Sequence, residues 1–346
     1  MARTHHPSRG RTLTISGTVT MALILLLVIL PVPYVVEMPG PTVDVLGETG
    51  DVELIQVPDP PEHPVTGQLR LTTVSTHGSD HDLTVGEAIM RWLSSADQVI
   101  PYEAAYPRSF TRAERETRSA QQMASSQELA SVAALNELGI GVELRIVDAV
   151  GEAASRVLKP DDVLVAIDGT DLRDFEHLLE VLNAIPAGTS IEIAIRRDGR
   201  EHVVTMATED DGEGRARMGV TVGFALPVDV RFGVEGIGGS SAGLIFALGI
   251  VDKLGPTDLA DSRIVAGTGT IDADGNIGPI GGIQQKMVAA RRDGAELFLA
   301  PEKNCPDVRG SVPRGLTVAS VATLADALDA LRGIRDRSMD TLDTCQ

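Results

Sequence analysis

Two short segments of the 346-residue chain carry residues whose types and spacing could do chemistry. The first, Gly236-Ile-Gly-Gly239-Ser240-Ser241-Ala-Gly-Leu244, is a glycine-rich turn running into an apolar stretch that ends near Leu254. A serine at the start of a helix has backbone N–H groups beside it that can serve a developing oxyanion. The second, Gly278-Pro-Ile-Gly-Gly-Ile-Gln-Gln-Lys286-Met-Val-Ala-Ala, delivers a lysine onto the first part of an alanine-rich helix. Burial and the positive end of a helix both lower an ammonium pKa, favouring the neutral amine that can accept a serine proton. The chain has four lysines, and the surroundings of Lys286 set it apart; Lys253 and Lys303 read as surface charges.

The glycine turn admits two other readings, and both fail. A phosphate loop ends in Gly-Lys-Ser/Thr, and neither this turn nor any other segment does so; no nucleotide is expected. Gly239-Ser-Ser241-Ala-Gly243 satisfies the G-x-S-x-G of a nucleophile elbow, but that arrangement needs its histidine after the serine. All seven histidines, at 5, 6, 63, 77, 81, 177 and 202, lie upstream. His77-Gly-Ser-Asp-His81-Asp82 lacks the helical H-E-x-x-H geometry of a zinc site and reads as a polar loop. The acidic run Glu209-Asp-Asp-Gly-Glu-Gly214 reads as a solvated linker. No metal and no other cofactor is expected. Cys305 and Cys345 cannot form a CxxC motif or a four-thiolate site, and one bridge between them is left open.

Ser241-Ala-Gly-Leu, Thr268-Gly-Thr-Ile, Gly275-Asn-Ile-Gly-Pro-Ile-Gly-Gly, Lys286-Met-Val-Ala-Ala and Glu296-Leu-Phe-Leu-Ala-Pro-Glu-Lys-Asn304 together resemble the proteolytic domain of Lon-type endopeptidases. The resemblance implies that Ser241 is the nucleophile, Lys286 its general base, Thr268 a contact to that lysine, and Gly239 and Ser240 part of the active-site loop. Two departures stand out: Ser240 where proline is usual, which leaves a swap of nucleophile open, and Thr270 where glutamate is usual. Upstream, Lys159-Pro-Asp161-Asp162-Val-Leu-Val-Ala-Ile-Asp-Gly169 and its flanking strands resemble a PDZ domain of the bacterial protease-associated type, with Asp161 in place of the usual glycine. Such a domain takes an extended peptide as an added strand.

The elements that must position these groups follow from composition and pattern. Hydrophobic residues make up 43% and charged residues 23%, as in a globular protein. A net charge of −19 and 3% aromatics disfavour nucleic-acid binding. Residues 13–36 carry no charge and are long enough to cross about 30 Å of hydrocarbon as a helix. Arg3, Arg9 and Arg11 precede the run and only acids follow it closely, so the N-terminus is expected in the cytoplasm and the rest outside. A cleaved signal peptide is the competing reading, but no A-x-A site follows, and Pro31, Pro33 and Pro39 occupy the region where cleavage would fall. Anchor, PDZ-like segment and protease in one chain resemble the YlbL type of membrane-anchored bacterial proteases, in which the PDZ segment is inserted within the protease domain.

The expected architecture is therefore α+β: a Lon-type proteolytic domain of the ribosomal protein S5 domain 2-like kind with an inserted PDZ-like domain. The expected order is a cytoplasmic tail (1–12), a transmembrane helix (13–36), a juxtamembrane linker (37–64), the first protease half (65–138), the PDZ-like domain (139–210), the catalytic half (215–335) and a C-terminal tail (336–346). Thr111-Arg-Ala-Glu114 and Ser125-Ser-Gln-Glu128 are each read as capping boxes that open helices. The function expected is that of a single-pass, ATP-independent serine endopeptidase of the cell membrane, its catalytic part extracellular, cutting peptides or unfolded proteins. A homo-oligomer is implied by the Lon resemblance alone. The alternative is an inactive peptide-binding adaptor on a protease fold.

Overall fold

A computed structural model describes residues 9–49, 52–59, 63–78, 83–106, 110–234, 236–336 and 342–345. The chain begins with helix α1 (Arg9–Ile29) and then enters strands β1 (Tyr34–Asp44), β2 (Gln68–His77) and β3 (Gln98–Pro101). Helix α2 (Arg112–Glu137) leads into a second unit made of β4 (Glu143–Ala149), β5 (Val163–Ile167), α3 (Phe175–Asn183), β6 (Ser190–Arg197), β7 (Arg200–Ala207) and β8 (Val220–Ala225). The chain returns through α4 (Gly243–Leu254), β9 (Ile264–Gly267), α5 (Ile283–Arg292), β10 (Leu297–Pro301), β11 (Thr317–Val321) and α6 (Leu324–Arg335).

The main sheet has six strands in the order β11-β10-β9-β2-β1-β3. Strands β2, β9, β10 and β11 run parallel to one another, while β1 is antiparallel to both of its neighbours. Alternation along the strands feeds two cores, as period-two side chains must. Val265, Leu297 and Leu299 join the core that holds α4, whereas Ala266, Phe298 and Ala300 join the one that holds Met287 and Ala290 of α5. The sheet thus lies between α4, with α2 and α6, on one face and α5 on the other. Helix α4 is buried from Gly243 to Lys253. Each fully buried Leu, Ile or Phe on it contributes roughly 1.5–3 kcal/mol against exposure.

Two N-terminal expectations are corrected. The helix ends at Ile29, not at 36, because Pro31 and Pro33 have no N–H to continue it. From Tyr34 the chain is strand, with Val35 and Val36 wholly buried. Residues 37–64 are not a linker either, since β1 is an interior strand that extends to Asp44. Proline is confined to edges and bulges because it cannot donate to a ladder. Here Pro39 and Pro41 lie beyond the pairing with β3, which stops at Glu37, and the register with β2 shifts between Pro39 and Thr42. Gly40 is needed there because a Cβ would collide with Thr73 of β2. Among the described residues no helix is long and apolar enough to cross a membrane. Helix α1 does leave its apolar side chains exposed, Leu13, Ile15, Leu25 and Ile29 among them.

The second unit has its own core, centred on Leu144, Ile146, Ile167, Leu178 and Ile193. Its sheet runs β7-β6-β5-β4-β8, with the short strand Thr170–Asp171 pairing β5 off that path. Strand β8 pairs with β4, so this unit reaches Ala225 and takes in residues 215–225, which had been expected in the catalytic half. Asp161 adopts a left-handed conformation, φ +68°, which glycine tolerates best and which asparagine and aspartate adopt more readily than most other residues. Arg145 holds its carboxylate at 2.9 Å. The neighbouring Asp162 is fully buried and takes two 2.6 Å hydrogen bonds from Arg197. The acidic run is no simple linker: Glu209–Asp210 pairs with Ala216–Arg217 across it. Helix α2 also differs. Thr111 and Glu114 do form its capping box, but the helix passes unbroken through 125–128, leaving Ser125 no end to cap.

Candidate active site

The loop before α4 is held from two sides. On the α2 side, Ser119 accepts a 3.1 Å hydrogen bond from Gly239 N–H, and Ser126 Oγ donates at 3.1 Å to the Ser240 carbonyl. Ser119 packs so closely on Gly238 that a Cβ there would overlap it. On the β9 side, the Ser241 carbonyl accepts from Gly269 N–H and from Thr268 Oγ1, both at 2.9 Å. Leu244 N–H then donates to the Gly269 carbonyl at 3.1 Å. Ser241 is therefore fixed at the entry to α4, next to N–H groups that have no partner within the helix.

Lys286 approaches from the opposite face of the sheet. Gly282, φ +67°, turns the chain into α5, and Lys286 N–H closes the first turn on the Gly282 carbonyl at 3.0 Å. Buried Asn304 pins the preceding loop: it accepts from Ile280 N–H and donates to the Ile280 carbonyl, both at 2.9 Å. Lys286 is only 3% exposed. Its Nζ lies 2.8 Å from Ser241 Oγ and 2.9 Å from Thr268 Oγ1. Burial pushes its amine down to about 8, and no neighbouring charge contributes to that shift. A hydroxyl and a readily deprotonated amine at this distance can exchange a proton.

Three of the residues singled out in the sequence, Ser241, Lys286 and Thr268, thus meet at one point. Gly239 shapes the loop through its bond to Ser119. Ser240 lines a separate cavity of about 460 Å³ with Arg118, Ser125 and Thr270, while Lys286 Nζ bonds to Ser241. Lys303 is exposed as expected, but Lys253 is no surface charge. It is 5% exposed, with its Nζ 2.8 Å from Glu53. Residues 79–82 of the histidine-containing loop, and His5 and His6, lie outside the described residues. Cys305 and Cys345 form a disulfide, and Ser320 N–H of β11 donates to the Asp343 carbonyl at 2.8 Å, so residues 342–345 lie along the sheet instead of fraying. Sequence reading gave no site role to Ser119, Ser126 or Asn304, because each holds the site through a contact that only the fold creates.

Residues 226–332, which contain Ser241, Thr268 and Lys286, match the Lon protease (S16) C-terminal proteolytic domain. Lon protease of Azospirillum brasilense is 38% identical over 106 residues, covering 30% of this chain and 13% of that protein. Lon protease 1 of Bacillus subtilis strain 168 is 38% identical over 109 residues, covering 31% of this chain and 14% of that protein. The likeness therefore spans a small part of those relatives' length. Among solved structures, the PDZ domain of the SdrC-like protein Lmo2051 from Listeria monocytogenes overlaps 24% of this chain and 86% of its own, at 18% identity and a TM-score of 0.22. The family likeness of the catalytic half is to peptidases of the Lon type.

Proposed function

We propose that the protein is an ATP-independent serine endopeptidase of YlbL type, anchored in the membrane by its N-terminal segment, that cuts unstructured polypeptides with a Ser241–Lys286 dyad. One observation carries this reading: a nearly inaccessible lysine amine 2.8 Å from a serine hydroxyl, within a segment that matches a proteolytic domain. In acylation the neutral amine takes the Ser241 proton as Oγ attacks the scissile carbonyl. The resulting ammonium protonates the leaving amine, and water, deprotonated by the same lysine, releases the acyl group. Thr268, bonded to both the Ser241 carbonyl and Lys286 Nζ, keeps the two partners in register.

ATP independence is the reading taken for the dyad chemistry, in which the proton moves between Ser241 and Lys286 and no nucleotide is consumed. An edge strand, β8, ends the second sheet, and an extended peptide can add there as a further strand, which supports a PDZ-like role in gathering substrate. Membrane attachment, with the catalytic part outside the cell, is supported by the uncharged run 13–36 and by the exposed apolar side chains of α1, which favour a nonaqueous surface. Digestion of an unfolded casein-type substrate by the wild type, abolished in Ser241→Ala, is the expected outcome. A wild type inert toward unfolded protein, in detergent and in lipid vesicles alike, would contradict the proposal.

A further inference from the structure

The cavity at the dyad has a second charged group that the chemistry does not use. This space of about 490 Å³ is bounded by the edge of β2 around Val74, by Met123 of α2, by the loop at Gly238, and by Gly282 and Lys286. Among the described residues its lining holds two ionisable ones, Lys286 and Glu37. The backbone of Glu37 is fixed on both sides, opposite Thr76 of β2 and Gln98 of β3. Its side chain is half-buried and forms no ion pair among the described residues. The cavity on the other side of Ser240 carries a charge of opposite sign, Arg118.

We propose that Glu37 sets the charge preference of the substrate: the cavity beside Ser241 takes a cationic side chain, lysine or arginine, of an extended polypeptide and disfavours an acidic one. When Lys286 is the neutral base, Glu37 is the charge left in that lining among the described residues, so the cavity is anionic in the state that does the work. A guanidinium or ammonium entering it gains a charge-assisted hydrogen bond, whereas a carboxylate meets like charge in a partly desolvated space. The chain's net charge of −19 attracts the same class of substrate at long range.

This inference rests on the peptidase reading, and the test separates the two. Three unstructured reporter peptides differing only by Lys, Gln or Glu near the scissile bond are given to the full chain, and their binding to Ser241→Ala is measured by fluorescence anisotropy. The Lys peptide should be cut, and bound by Ser241→Ala, roughly tenfold better than the Glu peptide. Glu37→Gln should bring that ratio near one, and Glu37→Lys should invert it, which a damaged fold cannot do. A ratio unchanged in both Glu37 variants overturns the assignment while leaving the protease reading intact. A charge preference in Ser241→Ala binding that vanishes in Ser241→Ala/Glu37→Gln, without cleavage by the wild type, upholds Glu37 and overturns the protease reading.

Discussion

Lys253 and Lys286 are both buried, at 5% and 3% exposure, on helices that pack on opposite faces of the same sheet. Lys253 sits in the last turn of α4, where the helix dipole favours a cation, and a carboxylate, Glu53, meets it at 2.8 Å. Lys286 sits in the first turn of α5, where the dipole disfavours a cation, and only two hydroxyls meet it. One burial supplies a carboxylate partner and the other supplies only hydroxyls. Partners, not depth, decide whether a buried lysine is structural or can act as a base.

The contrast is broken most severely at Lys286 itself. Lys286→Arg keeps the charge but cannot deprotonate, and turnover should fall by at least roughly a thousandfold, while Lys253→Met leaves the kcat/KM of the folded protein unchanged. Equal losses in kcat/KM from both substitutions would erase the distinction. Thr268→Val removes the hydroxyl that joins the Ser241 carbonyl to Lys286 Nζ, and kcat/KM should drop roughly 10- to 100-fold with the protein still folded. A loss below twofold would make Thr268 a bystander. For wild type, kcat/KM should rise with pH, because the neutral amine is the reactive form. From pH 7 to a plateau roughly a unit or more above the Lys286 pKa the gain is about tenfold, with the midpoint near 8, read from a pH–rate profile.

Stability sharpens the same comparison at a smaller scale. The folded pKa of Lys286 is depressed, so between about 8 and its unfolded value near 10.5 the unfolded chain binds more protons than the folded one. Stability therefore rises with pH across that window, and at pH 7 the fold carries a penalty for burying the ammonium. Lys286→Met should stabilise the protein at pH 7 by about 1–2 kcal/mol, the Ser241 hydroxyl, left without its amine partner, offsetting part of the relief. Lys253→Met should instead destabilise it by about 1 kcal/mol, since Glu53 is half-exposed and can turn to water. Denaturant titrations of both variants read the two signs, and the same sign for both would contradict the account.

The site was more legible in the sequence than the scaffold. Ser241, Thr268 and Lys286 each stand in a short glycine-rich motif whose local turn is written in its residues, although the sheet between α4 and α5 is what brings the three together. Residues 37–64 misled because their prolines and glycines have the composition of a linker. Only the neighbouring strands show that Pro39 and Pro41 lie where β1 needs no further donor. Lys253 was misread for a related reason: its burial depends on Glu53, which is 200 residues away. Asp161 departed from the expected glycine, yet its left-handed backbone explains why that position favours one.

The central claim is that one amine of this protein gives up its proton near pH 8, well below an ordinary lysine, while it touches the Ser241 hydroxyl. With four lysines in the whole chain, ¹³Cε-labelled lysine gives a spectrum simple enough to titrate each one. The account predicts one resonance that titrates near 8, absent from Lys286→Arg, with the same midpoint as the pH–rate profile. If the resonance lost in Lys286→Arg titrates in wild type above 10, the amine is a cation at working pH and the dyad mechanism is wrong.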